Sequence, residues 1–161
     1  MARSGRFARS RPRFRLALTV QYAAGNGRLP TRSQLRTWVK SALQHDADIT
    51  VRLVGAEEAR TLNRQYRRKD RVTNVLTFVY SDTDLLTGDI ALCVPAVERE
   101  AREQHKDLPA HYAHLVVHGM LHLQGYDHQK SADARVMETL ETEIVTGLGY
   151  AAPYQQAEIG N

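Results

Sequence analysis

Three of the chain's seven histidines stand at a spacing that chemistry can use. In His118-Gly-Met-Leu-His122-Leu-Gln-Gly-Tyr-Asp-His128 the first two are four residues apart. On a helix they share one face, with Cβ atoms about 6 Å apart. His128 follows beyond Gly125, a residue type that lets a chain leave a helix and turn back. Two helical imidazoles and one returning from a loop can converge on a tetrahedral ion and leave its fourth position open. That is the arrangement of a catalytic zinc site, where bound water loses a proton near neutral pH. The expected ligands of one Zn2+ are therefore His118, His122 and His128.

The spacing equals that of the long zincin motif H-E-x-x-H-x-x-G-x-x-H, with one difference. The Glu that serves a metalloprotease as general base is replaced by Gly119, which can do no proton chemistry. The geometry of a zinc hydrolase is present without the peptidase base. Asp127 is a candidate base by position, and equally a group that orients a ligand histidine, the role we favour. His114 lies one turn before His118, but eight residues of helix rise about 12 Å. Three collinear imidazoles cannot close on one ion, so His114 is expected as a neighbour, with His111 further out. A structural zinc site would need four closed ligands, usually with Cys. The single Cys93 sits in an apolar strand-like run, where a buried structural thiol is expected.

A second constellation is Tyr66-Arg67-Arg68-Lys69-Asp70-Arg71. Guanidinium groups bond phosphate bidentately, and a tyrosine ring offers a stacking face for a base. Tyr66, Arg67, Lys69 and Arg71 are the candidate contacts to a phosphate-bearing ligand. Basic side chains also suit a helix C-terminus through the macrodipole alone. The cluster becomes informative where the fold brings it beside the metal.

One domain is expected from 161 residues with 42% hydrophobic content. No apolar stretch approaches a membrane span, and the lone cysteine permits no internal disulfide. Both suit a cytoplasmic protein. The net charge of +4 hides an asymmetry: residues 1–45 hold ten of the 22 basic residues and none of the 18 acids. Residues 1–13 are expected as a disordered Arg-rich arm. Such an arm can contact phosphates with salt-dependent affinity, act as a solubilising tail, or resemble an organellar transit peptide. Residues 14–150 read as one catalytic domain and 151–161 as a loose C-terminal tail.

The elements that must position these residues follow from periodicity. Phe14 to Tyr22 and Ile49 to Leu53 alternate as half-buried strands. Val75 to Tyr80 and residues 89–94 read as two more, separated by a turn at Ser81-Asp-Thr-Asp. Thr31 caps a helix with the apolar face Leu35, Trp38, Val39, Ala42 and Leu43. Helices are expected over 56–68, from Pro95 to about Lys106, from about Leu108 through the histidines, and from Ser131 with Met137, Leu140, Ile144 and Leu148 buried. The class is α+β: about four strands in a small mixed sheet packed against about five helices, with the metal site on a helix and loop. The strand order is not readable from periodicity.

These segments together resemble a known family. Leu62-Asn-x2-Tyr-Arg-x-Lys-Asp, Thr73-Asn-Val-Leu-Thr-Phe78, Gly88-Asp-Ile, the histidine block and Glu141-x-Glu-Ile are similar to the YbeY endoribonucleases from about Leu16 to Tyr150. Members commonly read Lys-Asp-x-Pro-Thr-Asp-Val-Leu-Ser-Phe-Pro where this chain has Val72, Asn74, Thr77 and Val79; Asn74 and Thr77 keep polarity, and the missing prolines at Val72 and Val79 remove no reactive group. The resemblance implies zinc on His118, His122 and His128, with the family's arginine at Arg67 acting in catalysis. It implies a single-strand-specific endoribonuclease of late 16S rRNA 3′-end processing and 70S ribosome quality control. The implied partners are rRNA of the small subunit, ribosomal proteins and ribosome-associated GTPases. Two readings of other classes stand beside it: a non-catalytic, zinc-containing ribosome-associated RNA-binding factor, and a zincin-like metallopeptidase.

Overall fold

Alternation of apolar and polar residues builds β1 (Leu16–Tyr22) and β2 (Ala47–Val54), joined by helix α1 (Arg32–Ser41). The computed structural model describes residues 13–25, 27–67, 73–126 and 131–154; the expectations for the arm over 1–12 lie outside them. Thr31 closes a capping box with Gln34, accepting from its backbone N–H at 3.0 Å while Gln34 Oε1 accepts from Thr31 N–H at 2.9 Å. Leu35, Trp38 and Val39 then face inward as their spacing predicts.

Helix α2 (Ala56–Arg67) leads to the hairpin β3 (Val75–Asp82) and β4 (Leu86–Cys93). The strands form one sheet in the order β1-β2-β4-β3. β1, β2 and β4 are mutually parallel, and β3 runs antiparallel on the outer side of β4, so β3 is an edge. The expected α+β class, with four strands in a mixed sheet and five helices, holds among the described residues. The hairpin turn differs from expectation. Ser81 and Asp82 belong to β3, and β4 begins at Leu86 because its fully buried side chain pairs with Ala47 of β2. Only residues 83–85 remain to turn.

Helices α3 (Val94–Glu103), α4 (Leu108–Leu123) and α5 (Ser131–Gly147) complete the domain. α3 stops three residues short of the expected Lys106 because His105 adopts φ 54°. The Lys106 N–H then bonds Ala101 O at 2.9 Å, a Schellman closure. Ten of the sixteen residues of α4 are buried, which marks it as a core element rather than a surface helix. Tyr112, Val116, Val117, Met120 and Leu121 join Ile49, Val51, Leu53 and Ile90 in the main core. On the other face of the sheet Val54, Ala59, Cys93 and Ala96 form a small separate cluster. Burial there pushes the Cys93 thiol up, the opposite of what a nucleophilic cysteine needs.

The start of the segment expected as a loose tail is held in place. Tyr150 packs edge-on against Trp38, with ring centroids 6.4 Å apart, and Lys106 Nζ donates to Pro153 O at 3.4 Å. Residues 155–161 lie outside the described residues.

Gly125 ends α4 as its position predicts. At φ +101° it lets the Tyr126 N–H bond Leu121 O and its own N–H bond His122 O, both at 3.1 Å. A Cβ there would meet nothing within 4 Å, so the constraint is the backbone alone. Gly125→Ala is expected to lower stability by about 1–2 kcal/mol, read as a lower urea midpoint at unchanged slope.

Candidate active site

His118 and His122 project from successive turns of α4, and each ring is fixed at Nδ1 by a different element. His118 donates from Nδ1 to Glu141 Oε2 of α5 at 2.6 Å. His122 Nδ1 lies 3.0 Å from Thr77 Oγ1 of β3. A carboxylate only accepts, so it places the His118 proton on Nδ1 and makes Nε2 the basic nitrogen. With both Nδ1 atoms committed to protein oxygens, coordination falls to Nε2 on each ring. This is the usual support of a metal-ligating histidine, whose second nitrogen meets a carboxylate or other oxygen. The donor set fits zinc, which takes imidazole nitrogen at about 2.0–2.1 Å.

Glu141 is fully buried. Its Oε1 accepts from His114 Nε2 at 2.9 Å and from the Tyr154 hydroxyl. Burial by itself raises its pKa, but the hydrogen bonds from His114, His118 and Tyr154 prevail and hold the carboxyl at about 2. Burial and the same carboxylate push the Tyr154 phenol upward, so it stays a donor. Sequence reading placed Glu141 in a family pattern but gave it no role, and it missed Tyr154. The available signal for Glu141 was an acid on the apolar-facing side of the last helix, beside Met137, Leu140 and Ile144.

His114 takes the expected neighbouring place, giving its Nε2 to Glu141 and setting its ring edge-on to His118 at 6.4 Å. His111 is further along, with Nε2 2.8 Å from Glu100 Oε1; burial draws its pKa down. Asn74 steadies the same carboxylate through Nδ2 at 3.0 and 3.2 Å. A row of imidazoles along α4 thus ends in carboxylates at three positions, 111, 114 and 118.

Gly119 fills the slot of the peptidase glutamate and lies on the face of α4 that meets the sheet. It is buried against the sheet, where a Cβ would make ordinary contact with Ile90 and Thr77 at 3.4 Å, so only a longer side chain would be crowded. A glutamate there would have to push its carboxylate into the strands. Gly88 plays a matching part on β4, where a Cβ would meet Phe78 O at 2.8 Å and Leu123 at 3.1 Å. Helix and sheet approach closely at both glycines, and this brings Thr77 within reach of His122.

Among the described residues, no third side chain joins His118 and His122 to form a metal-holding group. His128 and Asp127 lie outside the described residues, as do Lys69 and Arg71. Arg67 is the last residue of α2. Tyr66 packs its ring on Phe78, with centroids 5.2 Å apart. Side chains alternate along a strand, so Phe78 and Thr77 point to opposite faces of β3. The tyrosine and the histidine pair therefore lie on either side of one edge strand.

Among the described residues no helix is long and apolar enough to cross a membrane.

Comparison with known proteins places this geometry in context. A family model described as Endoribonuclease YbeY matches residues 27–149. A Nitrosospira multiformis protein named Endoribonuclease YbeY is 55% identical over 166 residues, covering 94% of this chain and 87% of its own. One of the same name from Aromatoleum aromaticum is 59% identical over 143 residues, covering 87% and 93%. A Thermotoga maritima protein solved in solution is similar in fold, with TM-score 0.56 and 30% identity over 80% of this chain and 86% of that one.

Two substitutions probe the site. Glu141→Gln removes the anion and turns an amide NH2 toward a donor, so zinc affinity should fall about 10–100-fold. Competition with a chromogenic chelator measures it; unchanged affinity would remove Glu141 from any supporting role. Gly119→Glu overpacks the helix–sheet contact and should cost about 1–3 kcal/mol of stability or more, read from thermal unfolding.

Proposed function

The chain belongs to the YbeY family, and from that premise we propose that it is an endoribonuclease. In this reading it hydrolyses RNA phosphodiesters at a zinc ion held by His118, His122 and His128. The observation that carries the proposal is the pair of imidazoles on α4, each held at Nδ1 by an oxygen from a separate element. Fixing both rings before any ligand arrives removes the reorganisation that would otherwise weaken binding and catalysis.

When bound, zinc would supply a Lewis acid and a water acidified close to neutral pH. The protein's own groups have distinct tasks. Glu141 keeps the His118 proton at Nδ1 and so keeps Nε2 basic. His114 and Tyr154 donate to Glu141, which holds that carboxylate ionised inside the fold. Arg67 is assigned to the phosphoryl oxygens, where a guanidinium stabilises developing negative charge. Asp127 is assigned to orienting a ligand histidine. Tyr66, Arg67, Lys69 and Arg71 are assigned to binding the RNA.

We extend the proposal to single-stranded substrates, to late 16S rRNA 3′-end processing and to 70S ribosome quality control in the cytoplasm. Small-subunit rRNA, ribosomal proteins and ribosome-associated GTPases are the proposed partners. The metallopeptidase alternative loses support because Gly119 stands where the peptidase glutamate would act and can do no proton chemistry. A non-catalytic RNA-binding factor would not need two histidines pre-set for an open metal position.

The test compares cleavage of a 3′-extended small-subunit rRNA fragment by wild type, His118→Ala and Arg67→Ala, with metal content determined in parallel. Wild type should cut. His118→Ala should lose both metal and cleavage, and Arg67→Ala should keep its metal while losing at least about 100-fold in rate. Equal cutting by all three would point to a contaminating nuclease and end the enzymatic reading.

A further inference from the structure

The charge asymmetry of the sequence becomes an asymmetry of the surface. β1 is the edge strand opposite β3. Both β1 and α1 fall within the first 45 residues, which hold no acid. Arg32, the first residue of α1, donates from Nη1 to Val20 O, near the end of β1, at 3.1 Å. Its guanidinium also lies 5.3 Å from the centre of the Tyr22 ring. Lys40, near the far end of α1, lines a groove with Arg13 and Phe14, just ahead of β1. The helix therefore runs back along the edge strand and carries its cations from one end of β1 to the other.

Arg32, Arg36 and Lys40 stand four residues apart, and all three are exposed. On a helix they fall within an arc of about 80° and rise about 12 Å. Among the described residues no carboxylate forms an ion pair with these three or with Arg13. Glu143 lines the same groove as Arg13 and Lys40 and pairs with neither. Like charges four apart on a helix repel, and a cation in the first turn meets the positive end of the dipole. Lys40, in the last turn, is the only one of the three that the dipole favours. A row of cations kept without counter-ions, and against the helix's own electrostatics, is the footprint of a polyanion.

We propose that the outer face of α1, together with Arg13, is a phosphate-binding ridge that holds RNA away from the cut bond. The proposal rests on the endoribonuclease reading and adds a second anchoring surface to it. Cations along a helix face contact phosphates rather than base edges, so the grip is independent of sequence. The Lys40 end of the ridge is tied to α4. Gln124 Nε2 donates to Ala42 O at 2.8 Å, and Gln124 Oε1 accepts from the Gln44 N–H at 2.7 Å. Gln124 follows His122 by two residues, so α1 is anchored to the helix that carries the histidine pair. Ridge and histidines thus keep a fixed separation, which suits a grip at two points on one chain. Arg32 is already placed by Val20 and Tyr22, and its guanidinium keeps further N–H donors for a phosphate.

The test is a salt titration of binding, followed by anisotropy, with a labelled mixed-sequence single-stranded RNA of about twenty nucleotides. Full-length wild type is compared with Arg36→Gln/Lys40→Gln and with Arg99→Gln/Arg102→Gln, which removes the same charge from exposed positions of α3. Arg32 is left intact because it also braces β1. The α1 variant should raise Kd at least about tenfold at low salt. It should flatten the slope of log Kd against log salt by about 1.4, or about 0.7 per lost phosphate contact. In cleavage its KM should rise with kcat kept, since binding away from the cut bond is equal in ground and transition states. Its unfolding midpoint should be kept or raised, because like charges have been separated. The α3 variant should stay within about twofold of wild type in Kd. Equal effects of the two variants would overturn the ridge in favour of overall charge. An α1 variant that matches a binding and cleaving wild type would overturn the ridge alone and leave that face to an acidic protein. A wild type that neither binds nor cuts RNA would overturn the endoribonuclease reading and the ridge with it.

Discussion

A carboxylate buried without partners costs several kcal/mol in desolvation, and Glu141 is fully enclosed. It is kept ionised by donors from three places in the chain: His114 and His118 on α4, and Tyr154 after the last helix. The position of α5 against α4 and the course of the chain beyond Tyr150 are both tied to satisfying this one anion. The same bonds fix the His118 ring and its proton. Stability and the chemistry of the site thus rest on one group, and neither can change without the other.

Helix α4 serves two purposes with the same sixteen residues. Its apolar side chains are most of what covers one face of the sheet, so the helix cannot rotate or slide without opening the core. Histidines at 111, 114, 118 and 122 ride on that immobile frame and meet oxygens from α3, α5 and β3. Gly119 and Gly88 let helix and sheet approach, and that approach puts Thr77 against His122. The glycine in the peptidase-base slot lies on the face of the helix that meets the sheet.

The edge position of β3 gives the molecule two surfaces divided by one strand. Thr77 faces the histidines, and Phe78 faces Tyr66 and the end of α2. The bulge at Tyr80 and the acid pair Asp82 and Asp84 also discourage another strand from pairing there, as edge strands require.

Much of the fold was legible in the sequence because its signals are local. Thr31 with Gln34, Pro95, Gly125 and the alternation in β1 and β2 act within a few residues, and the elements formed where those signals stood. The H-x3-H pair was legible for the same reason, since helix geometry alone puts two side chains on one face. The turn between β3 and β4 was misplaced because the burial of Leu86 depends on a strand forty residues away. Strand order, Thr77 beside His122, Glu141 beneath His114 and His118, and the separation of Tyr66 from the histidines by β3 were decided by tertiary packing. Each joins residues more than ten positions apart, and periodicity carries no information about which distant groups meet when a sheet and its helices close on a common core.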